Sequence, residues 1–178
     1  MIAISYPFVI GLISLLWILC RILVWKNTGK FSLKREAELI LVYICLIVVA
    51  RFTLFALEKS GGKVQPLLLD TTVVSAMKFN WVPLRYMTDY EYIWKARVNI
   101  IGNIAMFIPI GIIWPLVFPK LDKHLKVIAA GAAYSLFVEI VQIPIYGRLT
   151  DVDDLILNSL GYLIGYGIYL LVKRLKKK

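Results

Sequence analysis

The chain has 178 residues, 60% hydrophobic and 18% charged, with a formal net charge of +10. Soluble domains average about 45–50% apolar and about 25% charged residues, so this composition excludes an ordinary soluble fold and points to a membrane protein. The sequence shows no internal repeat, low-complexity tract or separable soluble domain, and 1–178 reads as a single transmembrane domain.

A span needs roughly 20 mostly apolar residues, and five stretches qualify: about 4–25, 37–57, 98–118, 125–144 and 155–172. The predicted fold is an all-α integral membrane protein, a bundle of five transmembrane helices. The first span lacks a basic n-region and an A-x-A site, and its apolar run is too long for a signal peptide. It is expected to be a permanent helix. Cys20 and Cys45 lie inside spans without a partner motif and read as packing residues. Arg21, near the end of the first span, is placed to snorkel. Arg51, in the second, either snorkels or joins a polar site.

The distribution of charge sets the orientation. Lys26, Lys30, Lys34 and Arg35 follow the first span, Lys120, Lys123 and Lys126 the third, and Lys173, Arg174 and Lys176 to Lys178 the fifth. Glu36, Glu38 and Asp122 are the acids on that side, whereas on the other side seven basic residues face seven acids. Basic loops stay in the cytoplasm, so the N-terminus is expected outside and the C-terminus inside. The same charges read as a topology signal with some attraction to anionic lipid, not as a nucleic-acid surface. His124, in an inner loop, has no ligand at metal spacing.

The outward segment 58–97 is forty residues long, and structureless loops of that length are uncommon unless functional. It contains "KFNWVPL" and the aromatics Trp81, Tyr86, Tyr90, Tyr92 and Trp94. Two readings stay open: an aromatic belt at the interface, or a lid, with Trp81 and Pro83, over a polar site.

Polar residues gather at the outer ends of the last three spans. The third span carries Asn99 and Asn103 one turn apart, then "FIPIG", a predicted kink at Pro109. In the fourth, Ser135, Glu139 and Gln142 share one face at i, i+4, i+7 spacing. A carboxyl inside a span is expensive, normally faces the bundle interior and needs a partner; Arg148 is the nearest candidate. In the fifth, Asp151, Asp154, Asn158, Gly161 and Gly165 fall within an arc of roughly 80° at 100° per residue. The glycines would admit a neighbouring helix closely, while Asp153 points away from the stripe. Capping of the fifth helix is the alternative role for its acids, and interhelical packing is the alternative role for the asparagines.

These residues carry a family resemblance. "NIIGNIAMFIPIG", "SLFVEIVQ" and "GRLTDVDDLILNSLGYLIG" resemble, in that order, the N-x3-N-x3-F-x-P-x-G, S-x3-E-x2-Q and R-x2-D-x2-D-x3-N-x2-G-x3-G elements of the VanZ-like family of bacterial membrane proteins. "NWVP" resembles the family's N-x2-P element in the preceding loop. Thr150 stands where many relatives have a larger apolar or aromatic residue, and the first two spans carry no signature. The resemblance implies a multi-pass protein of the bacterial cytoplasmic membrane, associated in the founding case with reduced susceptibility to teicoplanin-type glycopeptides.

Three functions follow from the polar cluster. In a binding role, Arg148 holds a phosphate, Asn99, Asn103, Gln142, Asp151 and Asn158 complete the site, and the ligand is a membrane lipid such as a polyprenyl-linked cell-wall precursor. Nothing requires a resident cofactor, although Glu139, Asp151 and Asp154 offer the hard oxygens that a divalent cation such as Mg2+ or Ca2+ takes. As a hydrolase or transferase, the protein would use Glu139 as general base with Asp154 beside it. Ser135 would then be the nearby nucleophile, and without a histidine there Ser-His-Asp chemistry is excluded. In the third role, a non-catalytic scaffold, the cluster only holds helices together.

Overall fold

The computed structural model describes residues 1–56, 59–60, 62–70, 79–80, 82, 93–121, 123–148 and 150–176. Among them are five helices long and apolar enough to cross a membrane. The chain divides into two compact units, Met1–Thr71 and Thr72–Lys178.

In the first unit, strand β1 (Ile2–Ile4) precedes helix α1 (Tyr6–Thr28), and α2 (Leu33–Leu54) follows. Pro7 sits in the first turn of α1, where its missing N–H breaks no helical bond. Gly29 ends the helix in the left-handed region at φ 61°, its N–H returned to the Trp25 carbonyl, a conformation open to glycine. α1 buries none of its residues fully; Ser14, Trp17, Arg21 and Trp25 are half-buried on the side that meets α2. Across the α1–α2 turn, Arg21 Nε donates to Glu36 Oε2 at 2.9 Å and Nη2 to Oε1 at 2.6 Å, and Trp25 Nε1 donates to Oε1 at 2.9 Å. The Arg21 fork is met by a carboxylate that α2 turns toward it. Arg51 donates to the Ala56 carbonyl at 3.2 Å, with its guanidinium over the Tyr6 and Phe52 rings.

After α2 come three short strands, β2 (Lys59–Ser60), β3 (Lys63–Val64) and β4 (Leu67–Leu69). β2 and β3 pair as a hairpin, and β4 pairs antiparallel with β1, Ile2 opposite Leu69 and Ile4 opposite Leu67. The segment 58–97 is thus partly ordered strand, with two-residue periodicity too brief to register in the sequence.

The second unit holds β5 (Phe79–Asn80), α3 (Ile93–Val117), α4 (His124–Gln142), β6 (Thr150–Asp151) and α5 (Val152–Leu175). α3 runs unbroken through Pro109 and Pro115. It packs on α5 backbone to backbone. A Cβ on Gly161 would strike the Ile104 carbonyl, one on Gly165 the Ile108 carbonyl, and one on Gly111 the Tyr162 carbonyl. The small-residue spacing of α5 is thus matched by a glycine of α3. Gly131 of α4 makes room for the Tyr162 ring. Below this crossing, Trp114 packs against Tyr134, tilted, and Tyr162, edge to face, at centroid distances of 5.1 and 6.1 Å. His124 is the first residue of α4, not a loop residue, and its Nδ1 lies 2.7 Å from Tyr166 Oη on α5.

The helix ends depart from the apolar windows because local backbone geometry, not hydropathy, stops a helix. α2 begins at Leu33, four residues before the apolar run, and closes at Leu54 with Phe55 extended. α4 stops at Gln142, with Ile143 still in the right-handed helical region at φ −50° and ψ −48°; Pro144, which has no N–H, cannot carry the helical bonding on. α5 starts at Val152 because Asp151 caps it.

Candidate ligand-binding site

The site lies where the N-terminal ends of α3 and α5 meet the C-terminal end of α4. The chain leaves α4 through a tight turn, in which the Ile145 N–H bonds the Gln142 carbonyl at 2.9 Å and the Arg148 N–H the Ile145 carbonyl at 3.3 Å. Gly147, at φ 75°, supplies the left-handed step that a side chain would resist. This turn delivers Arg148 and β6 to the mouth of α5.

Asp151 is extended, at φ −119° and ψ 130°, and its carboxylate accepts from the Asp153 N–H at 2.9 Å. It is an N-cap, so it does not belong to the helical stripe that begins at Asp154. β6 runs parallel to β5, with Asn80 opposite Asp151. Asn80 Nδ2 donates to both Asp151 oxygens, at 3.0 and 3.1 Å, and Asn80 Oδ1 accepts from the Val82 N–H at 3.3 Å. Asn80 is only 4% exposed. The sequence marked it only through the "NWVP" element. Its partner lies 71 residues away, and parallel pairing over that distance leaves no local pattern. Asp153, expected to point away, is 8% exposed; the first turn of α5 is enclosed on that side also.

Asn99 and Asn103 meet α5 at one atom. Asn99 Nδ2 donates to Asp154 Oδ1 at 2.7 Å and Asn103 Nδ2 to the same oxygen at 2.6 Å. Both amides that were expected to serve a ligand are thus engaged in holding Asp154. One turn deeper on α5, Asn158 is 1% exposed, and its Oδ1 has no hydrogen-bond partner among the described residues.

Ser135, Glu139 and Gln142 lie together on the buried face of α4, as their spacing predicts. Ser135 Oγ donates to the Leu155 carbonyl at 3.2 Å, tying α4 to the first turn of α5. Glu139 is 2% exposed, yet neither carboxyl oxygen has a hydrogen-bond partner among the described residues. The charges of Asp154, Asp151 and Arg148 all act on it, as does the Asp151 backbone N–H, which falls short of hydrogen-bond geometry. Arg148 acts on Asp154 as well. Between Glu139 and Arg148 there is thus a proximity of charges, with no hydrogen bond to either Glu139 oxygen among the described residues.

Trp81 and Pro83, the residues of the expected lid, lie outside the described residues. Among the described residues, no group of three or more His, Cys, Asp or Glu is gathered so as to hold a metal ion. Glu139, Asp151 and Asp154 share a neighbourhood, but each of the two aspartates is already engaged by amide donors. The atoms left unsatisfied among the described residues are both Glu139 oxygens and Asn158 Oδ1, with Tyr162 Oη and Trp114 Nε1 deeper between the helices. Unmet polar atoms in an apolar interior cost roughly 1–3 kcal/mol each by protein mutational measure.

The sequence model of the VanZ/LLP1 family matches residues 40–173, about three quarters of the chain, including Asn80 and every polar residue of the site. The match starts within α2, earlier than the motifs alone suggested. No curated protein and no solved structure gives a significant match. With the match spanning the site and five helices able to cross a membrane, the chain belongs to the VanZ/LLP1 family and is a multi-pass membrane protein.

Proposed function

We propose that the protein binds a phosphate-bearing envelope lipid, such as a polyprenyl-linked cell-wall precursor, at an outward-facing site of the bacterial cytoplasmic membrane, and thereby lowers susceptibility to teicoplanin-type glycopeptides. Family membership supports the link to glycopeptides, and the excess of Lys and Arg in the loops after α1, α3 and α5 supports the orientation. The observation that carries the binding role is Glu139, buried in α4 with both oxygens unpartnered among the described residues. A scaffold gains from satisfying such a group, whereas a binding site keeps it for its ligand. Arg148 supplies the charge that faces the phosphate.

Hydrolysis or group transfer, with Glu139 as general base beside Asp154, draws on the same unpartnered carboxyl. It would need water as nucleophile, because Ser135 Oγ is engaged by the Leu155 carbonyl. A Mg2+ or Ca2+ ion bridging carboxylates to phosphate has less support, since Asp151 and Asp154 are satisfied by amides. Lipid binding without a cation is the simpler reading.

The test is lipid extraction from purified wild-type protein and from Arg148→Gln, followed by mass spectrometry. Phosphate-bearing envelope lipids should be enriched with the wild type and lost with the variant. Identical lipid profiles would overturn the proposal.

A further inference from the structure

The donors and acceptors of the site are out of balance in one direction. The donors of Asn80, Asn99 and Asn103 are directed at Asp151 and Asp154. At the level of Glu139 what remains without a partner among the described residues is its two carboxyl oxygens; Asn158 Oδ1, Tyr162 Oη and Trp114 Nε1, deeper between α3 and α5, are also unpartnered. Glu139 and Asn158 lie on antiparallel helices, about one turn to either side of the Ser135–Leu155 bond, Glu139 toward the mouth and Asn158 deeper. The charges of Asp151 and Asp154 act on Glu139, with Arg148 as the cation acting on both Glu139 and Asp154. A bare phosphate brings acceptors and negative charge, and so answers Arg148 while leaving the Glu139 side unmet. A protonated primary amine has three N–H donors, a positive charge and no acceptor. It matches what the Glu139 side lacks. Arg148, with five donors on a planar fork, can take an anion beside its contacts within the protein.

We infer that the ligand headgroup is zwitterionic, a primary ammonium donating to Glu139 with a phosphate a few atoms away at Arg148. This rests on the reading that the site binds a phosphate-bearing lipid, and it specifies which chemistry the headgroup carries. An aminophospholipid of the membrane and a soluble phosphate monoester of an amino alcohol share this chemistry. The burial of Glu139 inside a span favours the lipid.

The test uses the full-length protein in detergent micelles and native mass spectrometry, titrated with phosphatidylethanolamine, phosphatidylcholine, phosphatidylglycerol and free O-phosphoethanolamine. Phosphatidylcholine keeps the charges of phosphatidylethanolamine but has no N–H, so the comparison isolates donation from charge. Phosphatidylethanolamine should bind at least about tenfold more tightly than either of the other lipids, the worth of one charge-assisted hydrogen bond. Glu139→Gln should erase that preference, and Glu139→Asp should keep part of it; a melting curve for each variant confirms that both fold. Displacement of phosphatidylethanolamine by equimolar O-phosphoethanolamine would support the amine and assign it to a soluble source. Failure to displace would support the amine and assign it to the lipid. Equal binding of phosphatidylethanolamine and phosphatidylcholine, or tighter binding of phosphatidylglycerol that is still lost in Arg148→Gln, would overturn the amine while leaving phosphate-lipid binding in place. Lipid binding that is the same in wild type, Glu139→Gln and Arg148→Gln would overturn both.

Discussion

Both carboxyl oxygens of Glu139 are buried and unpartnered among the described residues. Replacing a group in that state removes a desolvation cost without orphaning a hydrogen-bond donor. Glu139→Leu should therefore melt in detergent at or above the wild-type temperature while losing its lipid preference. A fall in melting temperature of the size expected for a broken buried pair, about 3–5 kcal/mol, would assign Glu139 a structural partner. The aspartates behave differently. Asp151→Ala removes the N-cap and both Asn80 bonds, and should cost about 1–2 kcal/mol. Asp153 is enclosed rather than turned away, so Asp153→Asn should also lower the melting temperature instead of being silent. Melting curves of the two variants against wild type check this, and an unchanged Asp153→Asn would show that its enclosure contributes nothing.

At the scale of helices, the α3–α5 crossing is the tightest contact and the one most easily broken. Gly161 and Gly165 face the carbonyls of Ile104 and Ile108, and the Gly111 Cα lies 3.1 Å from where a Gly165 Cβ would stand. These neighbours are backbone and cannot rotate aside. Gly161→Ala should force the helices apart and cost about 1–3 kcal/mol or more, displacing Asp154 from Asn99 and Asn103. Gly167, on the same helix, has nothing within 4 Å of an added Cβ, and Gly167→Ala should be neutral or stabilising by about 0.5–1 kcal/mol. Expression level and melting temperature of the pair measure the contrast. If both alanines were tolerated alike, the close approach would not be what holds the bundle.

For the whole molecule the decisive quantity is orientation. With Cys20 and Cys45 replaced by alanine, Tyr146→Cys should react in intact cells with a membrane-impermeant maleimide, because Tyr146 is exposed in the turn after α4. Lys30→Cys, between α1 and α2, should react only after permeabilisation. The reverse pattern would place the polar site in the cytoplasm and remove any direct contact with an extracellular antibiotic.

What the sequence determined by itself is what a single helix can express. The five spans follow from apolar length, and the polar face of Ser135, Glu139 and Gln142 and the glycine spacing of α5 follow from helical periodicity, which is a local property. The motifs around these residues also sufficed to indicate the family. Only the tertiary structure decided the partners. It converges Asn99 and Asn103 on one oxygen of Asp154, brings Asn80 across 71 residues to Asp151, and ties Arg21 to Glu36. It also leaves the Glu139 carboxyl without a hydrogen bond from Arg148. The spacing of residues along a helix says which face they share, but not how far that helix rotates or slides against its neighbour. A hydrogen bond forms or fails within a few tenths of an ångström, and that margin is set by backbone contacts such as Gly161 on Ile104 and by the turn at Gly147.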